Sequence, residues 1–462
     1  MKPVQNNFPI KKSNIVFNCY VARFLLFVKI QNEGIAGEAG RSPLFSVVRD
    51  RQTRTHNLLS TTNSEDHEAY GGEELNKAKL QSPRRSPHKI FYHVDRLKDW
   101  KAGSAFPITL DIDLTNICNN NCPGCHISKY NLMKNEFSNL PKVWGYAQYR
   151  EGNCIMPLRD ARRIIRQFAD LGGKSVAFGG GGEQTLHPDF SKIVCFSKEC
   201  GLDVSGSTNG NSLDDATMRV IVDCFAFINI SLDAPDAKLY KLVHGVSERN
   251  FNNMLNNIKT LIALRKNTGS GITIGTSYLI GHYTADGAYK ATVLAKKLGV
   301  DYMRLRPYWT SPGENFLPEE VKRFIQNAER CLKLANDNFE VTYTPERFEI
   351  MLDNAKQTRS YKVCNAIHFT VSISADQKVY PCCYLKGNPK YLIGDLKSSS
   401  FKEVWYSLSK ERVFMSIDFR DCPNPCGKEH ELNKVLWKLK AEELNIESGS
   451  FSKDPIVHKN FI

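Results

Sequence analysis

From about residue 107 to residue 308 the chain alternates short strand-like runs with helical stretches, and this rhythm restricts its fold more than any other feature. "PITLDIDL", "KSVAFGG", "LDVSGSTNG", "AFINISLDA", "GITIGTSYLI" and "DYMRLRPY" read as six strands. Helices are expected at Leu158–Leu171, Pro188–Cys200, Asp214–Cys224, Ala237–Val243, Phe251–Leu264 and Ala285–Leu298, with Ile164, Ile165 and Phe168 on one apolar face of the first. Such alternation implies right-handed crossovers and a parallel sheet. The strands read as continuously apolar, which suits a sheet covered on both faces. Six units are too few for an eight-fold barrel. The expected fold class is therefore α/β, a partial (β/α)6 barrel followed by a small cysteine-bearing α+β domain, with chemistry at the C-terminal ends of the strands.

The rest of the chain lacks this rhythm. Residues 1–100 read as a mostly disordered extension, because the polar stretch from Arg41 to Pro87 can bury little apolar surface. Within it, Phe91, Val94, Leu97 and Trp100 fall at helical spacing and suggest a short helix docked on the core. The core is placed at 101–340, the cysteine-bearing domain at 341–440, and a loose polar tail at 441–462.

Composition excludes some classes. The chain has 462 residues, 14 cysteines and a formal net charge of +13. The cysteines are spaced like metal ligands rather than like a short secreted disulfide scaffold, which points to a reducing, cytoplasmic setting. Ile15–Ile30 is apolar but carries Arg23 and Lys29, too short and too charged for a membrane span. The basic charge keeps nucleic acid in view, yet no dense Lys/Arg stripe or standard RNA-binding signature is present, so no nucleic-acid or membrane partner is expected.

"TNICNNNCPGC" follows the first strand and places Cys118, Cys122 and Cys125 in one loop. Three thiolates can hold three irons of a [4Fe–4S] cube and leave the fourth open, and an incomplete protein ligand set marks a reactive metal site. The same residues with His126 would also suit zinc.

The C-x3-C-x2-C spacing after the first strand of a partial barrel resembles the radical S-adenosylmethionine (SAM) superfamily. "FGGGGEQTLHPDF" matches that family's Gly-Gly-Glu motif with Gly181, Gly182 and Glu183, and "STNG" and "SLDA" follow the third and fourth strands. The resemblance implies that SAM's amino and carboxylate groups fill the open iron. One electron from the cluster then cleaves SAM to methionine and a 5′-deoxyadenosyl radical, which takes a hydrogen atom from substrate. It further implies that Gly181, Gly182 and Glu183 hold the ammonium, that Ser207 lies at the cofactor, and that Ser231 and Asp233 reach the ribose hydroxyls. Ile280-Gly281 would present backbone to adenine, and Arg304 would face the carboxylate. The sequence departs from the family at Gly124, where an aromatic residue is usual before the third cysteine; His126 and Tyr130 are the candidates to replace it.

A second group comes later in the chain, Cys364-x17-Cys382 and Cys422-x3-Cys426. Four thiols complete a closed [4Fe–4S] cluster, although zinc accepts the same set. With the hairpin-like "ISADQKVYPCCYL" between them, these residues resemble the SPASM/twitch auxiliary-cluster region of radical SAM enzymes in its shortened, single-cluster form. Cys382 is preferred over its neighbour Cys383 on spacing. The resemblance implies a flavodoxin- or ferredoxin-type electron donor. It leaves the substrate open: a small polar metabolite such as a sugar or aminocyclitol, dehydrogenated or epimerised, is the leading reading. Peptide modification is the alternative within the family. A nucleic-acid-modifying protein or a non-catalytic metal protein is the alternative outside it.

Overall fold

The computed structural model describes residues 86–122, 125, 153–307, 316–349, 359–422, 426–441 and 457–462. Gly124, His126, Tyr130 and the extension over residues 1–85 lie outside them.

The six expected strands are present: β1 Thr109–Ile112, β2 Ser175–Phe178, β3 Asp203–Thr208, β4 Phe225–Ser231, β5 Thr273–Ile280 and β6 Tyr302–Pro307. They pair in parallel and in chain order. The rhythm runs further than the sequence reading placed it. The helix Pro318–Leu332 and a three-residue strand, β7 Glu340–Thr342, add one more unit parallel to β6. β7 is only three residues long, but Phe339, Val341 and Tyr343 are buried and alternate with the half-buried Glu340 and Thr342, a period-two signal that the sequence reading passed over.

The sheet does not stop at β1. β8 Thr370–Ile373 pairs in parallel with β1, β9 Lys378–Tyr380 folds back antiparallel on β8, and β10 Gly394–Asp395 completes the edge. The result is one open ten-stranded sheet, β10-β9-β8-β1-β2-β3-β4-β5-β6-β7. The cysteine-bearing region is thus grafted onto the barrel through backbone hydrogen bonds. Aromatic packing adds to the joint: the Phe106 ring lies 5.6 Å from Phe168 and 5.6 Å from Phe401. The Trp405 indole N–H donates to the Ala105 carbonyl at 2.9 Å.

The strands are not apolar on both faces. Leu110, Ile112, Val176, Phe178, Ile228, Ile230, Met303 and Leu305 share one buried core with Ile164, Phe168, Ile193, Ile221 and Ile258 of the helices. Many of the alternate residues are polar, among them Asp111, Ser205, Asn229, Ser277 and Arg304, with Ala177, Phe227 and Leu279 on the same face. Ser231, Ser277, Arg304 and Thr342 are register partners on β4 to β7, forming a polar row across the sheet. The period-two pattern therefore separates a helix-packed face from a polar one, as a sheet does when its concave side holds something other than hydrocarbon.

The N-terminal segment forms a 3-10 helix, Pro87–Tyr92, and an α-helix, Val94–Lys101. Ile90, Leu97 and Trp100 bury against Phe369, Leu432, Leu436 and Leu439 in a second core, with Phe91 and Val94 at its margin. Ile462 closes this core, so the end of the chain is not loose as its polarity suggested. The Asn460 carbonyl accepts from Thr109 Oγ1 at 3.1 Å and also from Ser175 Oγ, while its amide donates to Asp203 Oδ2 at 2.8 Å. His458 Nε2 lies 3.1 Å from Thr273 Oγ1. Thr109, Ser175, Asp203 and Thr273 are the first residues of β1, β2, β3 and β5. The last six residues therefore floor the barrel at the end opposite the cysteine loop. Deleting residues 457–462 exposes the sites of Phe461 and Ile462, a loss of about 3 kcal/mol. The truncated protein should melt several degrees lower in circular dichroism; an unchanged midpoint would show that the floor adds nothing.

Candidate functional site

The cysteine loop is held by its asparagines. Asn116 Oδ1 accepts from the Cys154 N–H at 2.7 Å. Asn119 bonds Asn209 at 2.6 Å and Ser212 at 2.8 Å, and Asn120 Oδ1 accepts from Asn211 Nδ2 at 2.7 Å. The Asn121 N–H donates to the His244 carbonyl at 3.0 Å. Gly245, with φ +60, ends the helix Ala237–His244, and a Cβ there would sit 2.0 Å from the Asn121 oxygen. The loop after β3 and this helix end thus fix a segment that has no regular structure of its own. Within it the Cys125 N–H donates to the Cys122 carbonyl at 3.1 Å. Burial pushes the Cys122 thiol well above its ordinary range, and the charges of Cys125, Cys118 and Asp233 push the same way.

The glycine run lies against this loop. A Cβ on Gly181 would meet Asp113 Oδ2 at 2.3 Å, and one on Gly182 would meet the Ile117 carbonyl at 2.4 Å. Asp113, at the end of β1, accepts the Gly181 N–H at 2.9 Å and pairs with Lys386 Nζ at 2.7 Å, both side chains fully buried. Lys386 belongs to the cysteine-bearing region, so that region reaches the glycine loop directly. Glu183 is buried, and its backbone N–H donates to the Ile117 carbonyl at 2.8 Å. Its Oε1 accepts from Thr185 Oγ1 at 2.7 Å and Thr208 Oγ1 at 2.8 Å, and its Oε2 from the Asn209 N–H at 2.7 Å. Burial raises its pKa while these bonds oppose the rise. Much of the carboxylate is committed to the protein, with acceptor capacity left on Oε2.

Ser207 and Ser231 lie on the polar strand face, Ser207 exposed and Ser231 half-buried. Asp233 is drawn inward instead. It takes φ +45, is buried, and accepts the Leu279 N–H on Oδ1 at 2.8 Å. Its Oδ2 lies 3.8 Å from His244 Nε2, and the other ring nitrogen of His244 lies 3.4 Å from Cys122 Sγ. Ser231 is in register with Ser277, and the Asp233 N–H donates to the Ser277 carbonyl at 3.3 Å. Gly281 closes its own turn, donating to Thr284 Oγ1 at 2.9 Å.

The second cysteine group converges on one enclosed cavity. Cys364, Cys382, Cys422 and Cys426 line it with Tyr361, Tyr384 and Phe419, and Cys383 is not among its walls. Asn433 Nδ2 donates to Cys364 Sγ at 3.3 Å, while its Oδ1 accepts from the Asn365 and Ala366 N–H groups. Burial pushes the Cys422 thiol up to about 12, with the Cys364 charge adding to it. Burial also drives Cys382 and Cys426 well above their ordinary value. Among the described residues no group of three or more His, Cys, Asp or Glu side chains is drawn together for a single metal ion; these thiols surround a space instead of meeting at a point.

Asn209, Asn211, His244, Asp113 and Lys386 were not singled out in the sequence. The repeated asparagines in "CNNNC" and "STNGN" were the available signal for the first two; nothing local marks the others.

Residues 112–287 match the family model of the radical SAM superfamily, and residues 364–428 match that of SPASM, an iron-sulfur cluster-binding domain. Among curated proteins, a "Probable GTP 3',8-cyclase" of Saccharolobus islandicus (strain M.14.25 / Kamchatka #1) is 23% identical over 323 residues, covering 68% of this chain and 95% of that protein. One of Pyrococcus abyssi (strain GE5 / Orsay) is 31% identical over 140 residues, 30% of this chain and 39% of its own length. Among solved structures, Streptococcus suis SuiB bound to S-adenosylmethionine superposes with a TM-score of 0.53 at 16% identity, covering 71% of this chain and 75% of that one. SuiB bound to its precursor peptide SuiA gives 0.53 at 17%, covering 79% of each.

The geometry has two measurable consequences. Lys386→Met leaves Asp113 buried without its cation and should cost about 3–5 kcal/mol in chemical unfolding. The double variant with Asp113→Asn should recover most of that loss, and a single variant as stable as wild type would contradict the pairing. Cys382→Ala should remove roughly half the bound iron, as loss of one of two [4Fe–4S] clusters does, while Cys383→Ala retains it. The reverse result would move the ligand to Cys383.

Proposed function

Because the chain is a radical SAM protein with a C-terminal SPASM iron–sulfur domain, we propose that it is an enzyme that removes a hydrogen atom from a sugar-ring carbon of a small polar metabolite. The observation that carries the substrate class is the polar strand face. Ser205, Ser207, Asn229, Ser231 and Ser277 lie on it, and it leads up to the cysteine loop at the C-terminal strand ends. Ser372, from the SPASM region, adds a buried hydroxyl with no hydrogen-bond partner, in register with Asp111. Asn229 Nδ2 donates to Ser277 Oγ at 3.1 Å, while a hydroxyl-rich ligand would satisfy Ser372 and an apolar one would leave it unpaired. A free sugar, an aminocyclitol or the ribose of a nucleotide meets this description. The curated relatives' name supports the last, since its primed locant denotes a ribose carbon of GTP.

In this reading Cys118, Cys122 and Cys125 hold the cluster with the open iron. Gly181, Gly182, Glu183, Ser207 and Ser231 receive SAM, with Asp233 placed behind the cysteine loop rather than at the ribose. Cys364, Cys382, Cys422 and Cys426 hold the auxiliary cluster. When bound, the first cluster and SAM supply the 5′-deoxyadenosyl radical. The protein's part is to fix the cysteine loop through Asn119, Asn120 and His244 and the glycine loop through Asp113. A flavodoxin- or ferredoxin-type donor in a reducing compartment such as the cytoplasm supplies the electron. No helix among the described residues is long and apolar enough to cross a membrane.

The test is 5′-deoxyadenosine, measured by mass spectrometry after anaerobic reconstitution, with reductant, SAM and ring-deuterated candidates. The expected result is deuterium transfer from a sugar or nucleotide in wild type and no product from the variant with Cys118, Cys122 and Cys125 all replaced by Ala. Transfer from a peptide alone would replace the substrate class. Stoichiometric zinc without iron would remove the radical chemistry altogether.

A further inference from the structure

Cys382 and Lys386 are four residues apart and serve different sites. Cys382 opens a tight turn: the Leu385 N–H donates to the Cys382 carbonyl at 3.3 Å, and the Asn388 N–H to the Leu385 carbonyl at 3.2 Å. Cys382, Tyr384 and Leu385 all line the cavity of the second cysteine group. Lys386 leaves that cavity and runs to the glycine loop instead. Its Nζ lies 2.7 Å from Asp113 Oδ2, with neither side chain exposed. The other oxygen of that carboxylate accepts the Gly181 N–H at 2.9 Å. The loop backbone rests directly on the pair, since a Cβ on Gly180 would stand 3.4 Å from Asp113 Oδ1 and 3.6 Å from Lys386 Nζ. One short path of covalent bonds, an ion pair and a hydrogen bond thus joins an auxiliary-site cysteine to the glycine loop.

The far side of the second group grips the same turn. Gly427 follows Cys426, and a Cβ there would collide with the Tyr384 hydroxyl. A cluster in the cavity bonds Cys382 on one side and Cys422 and Cys426 on the other, and so clamps the turn from both. Loss of one ligand releases the clamp. The release is felt at Lys386, because a buried ammonium has to stay on its carboxylate. The carboxylate cannot follow it without leaving the Gly181 N–H unpaired. Affinity for a ligand of the glycine loop then falls with the fraction of protein that keeps the loop in its binding setting.

We propose that Lys386 and Asp113 are positioning residues for SAM that tie its affinity to the auxiliary site, so that SAM binds tightly only when both clusters are in place. This rests on the reading that Gly181, Gly182 and Glu183 receive SAM and that Cys364, Cys382, Cys422 and Cys426 hold a cluster.

The experiment is a thermodynamic cycle on the full-length protein, reconstituted with iron and sulfide, with SAM as the probe. Cys422→Ala removes the auxiliary cluster without touching the turn. Asp113→Asn with Lys386→Met removes the link, while the asparagine oxygen still accepts the Gly181 N–H. SAM dissociation constants are read by calorimetry. SAM contact with the first cluster is read from the change it makes in the electron paramagnetic resonance spectrum of the reduced protein. Cys422→Ala should weaken SAM about tenfold in the otherwise native chain, and less than about twofold in the double variant. Cys426→Ala, run in parallel, should give the same two results, so that one badly folded variant does not decide the outcome. Asp113→Leu with Lys386→Met keeps the auxiliary cysteines but gives Gly181 no acceptor; it should retain full iron and weaken SAM about tenfold. The proposal is overturned if the cysteine variants bind SAM as tightly as wild type, if they lose the same factor in both backgrounds, or if the leucine–methionine variant binds SAM normally. Two other results reach the reading beneath it. Cluster-loaded wild type that does not bind SAM rejects the SAM site, and cysteine variants with undiminished iron reject the ligand assignment.

Discussion

A lysine and an aspartate with no exposed surface hold the two halves of this protein to one another. Lys386 arrives from the SPASM region and meets Asp113 at the end of β1, and the same carboxylate receives the N–H of Gly181. A buried pair of this kind contributes little net stability against an apolar alternative, yet loss of one partner is expensive. Its value here is geometric. It fixes how the iron–sulfur region sits on the barrel and, through one hydrogen bond, where the glycine loop lies. The shared β1–β8 pairing and the Phe106–Phe168–Phe401 cluster make that joint rigid.

Much of the architecture was legible because it is written in local patterns. The helix Leu158–Asp170 announces itself through Ala161, Ile164, Ile165 and Phe168, and the structure buries those four. The cysteine groups were legible by spacing. Other features were misread or missed for identifiable reasons. The strands looked uniformly apolar because Ile, Val and Phe dominate them, yet Asp111, Ser205, Asn229 and Arg304 alternate with those residues and turn to the other face. The extension of the sheet beyond β1 could not be seen, since parallel pairing between residues 109 and 370 leaves no local trace. The chain end reads as loose in composition, but buried Phe461 and Ile462 and the hydrogen bonds of His458 and Asn460 anchor it. Lys386 looks like any surface lysine until Asp113 is placed beside it.

The site shows a division of labour that spacing alone does not reveal. The cysteines recur by motif, whereas the groups that orient them are assembled from distant segments: Asn209 and Asn211 after β3, His244 at a helix end, Cys154 before the first long helix. The chain matches the radical SAM and SPASM family models and is 23% identical over 323 residues to a curated relative.

The central place of β1 also orders events in time. β1 is the first of the described strands to be made, but its neighbour β8 lies some 260 residues later and its counter-ion Lys386 later still. Until those residues leave the ribosome, β1 presents an open edge, and Asp113 faces water instead of a cation. The glycine loop therefore reaches its final setting only after the SPASM region has folded back and placed Lys386 beside Asp113.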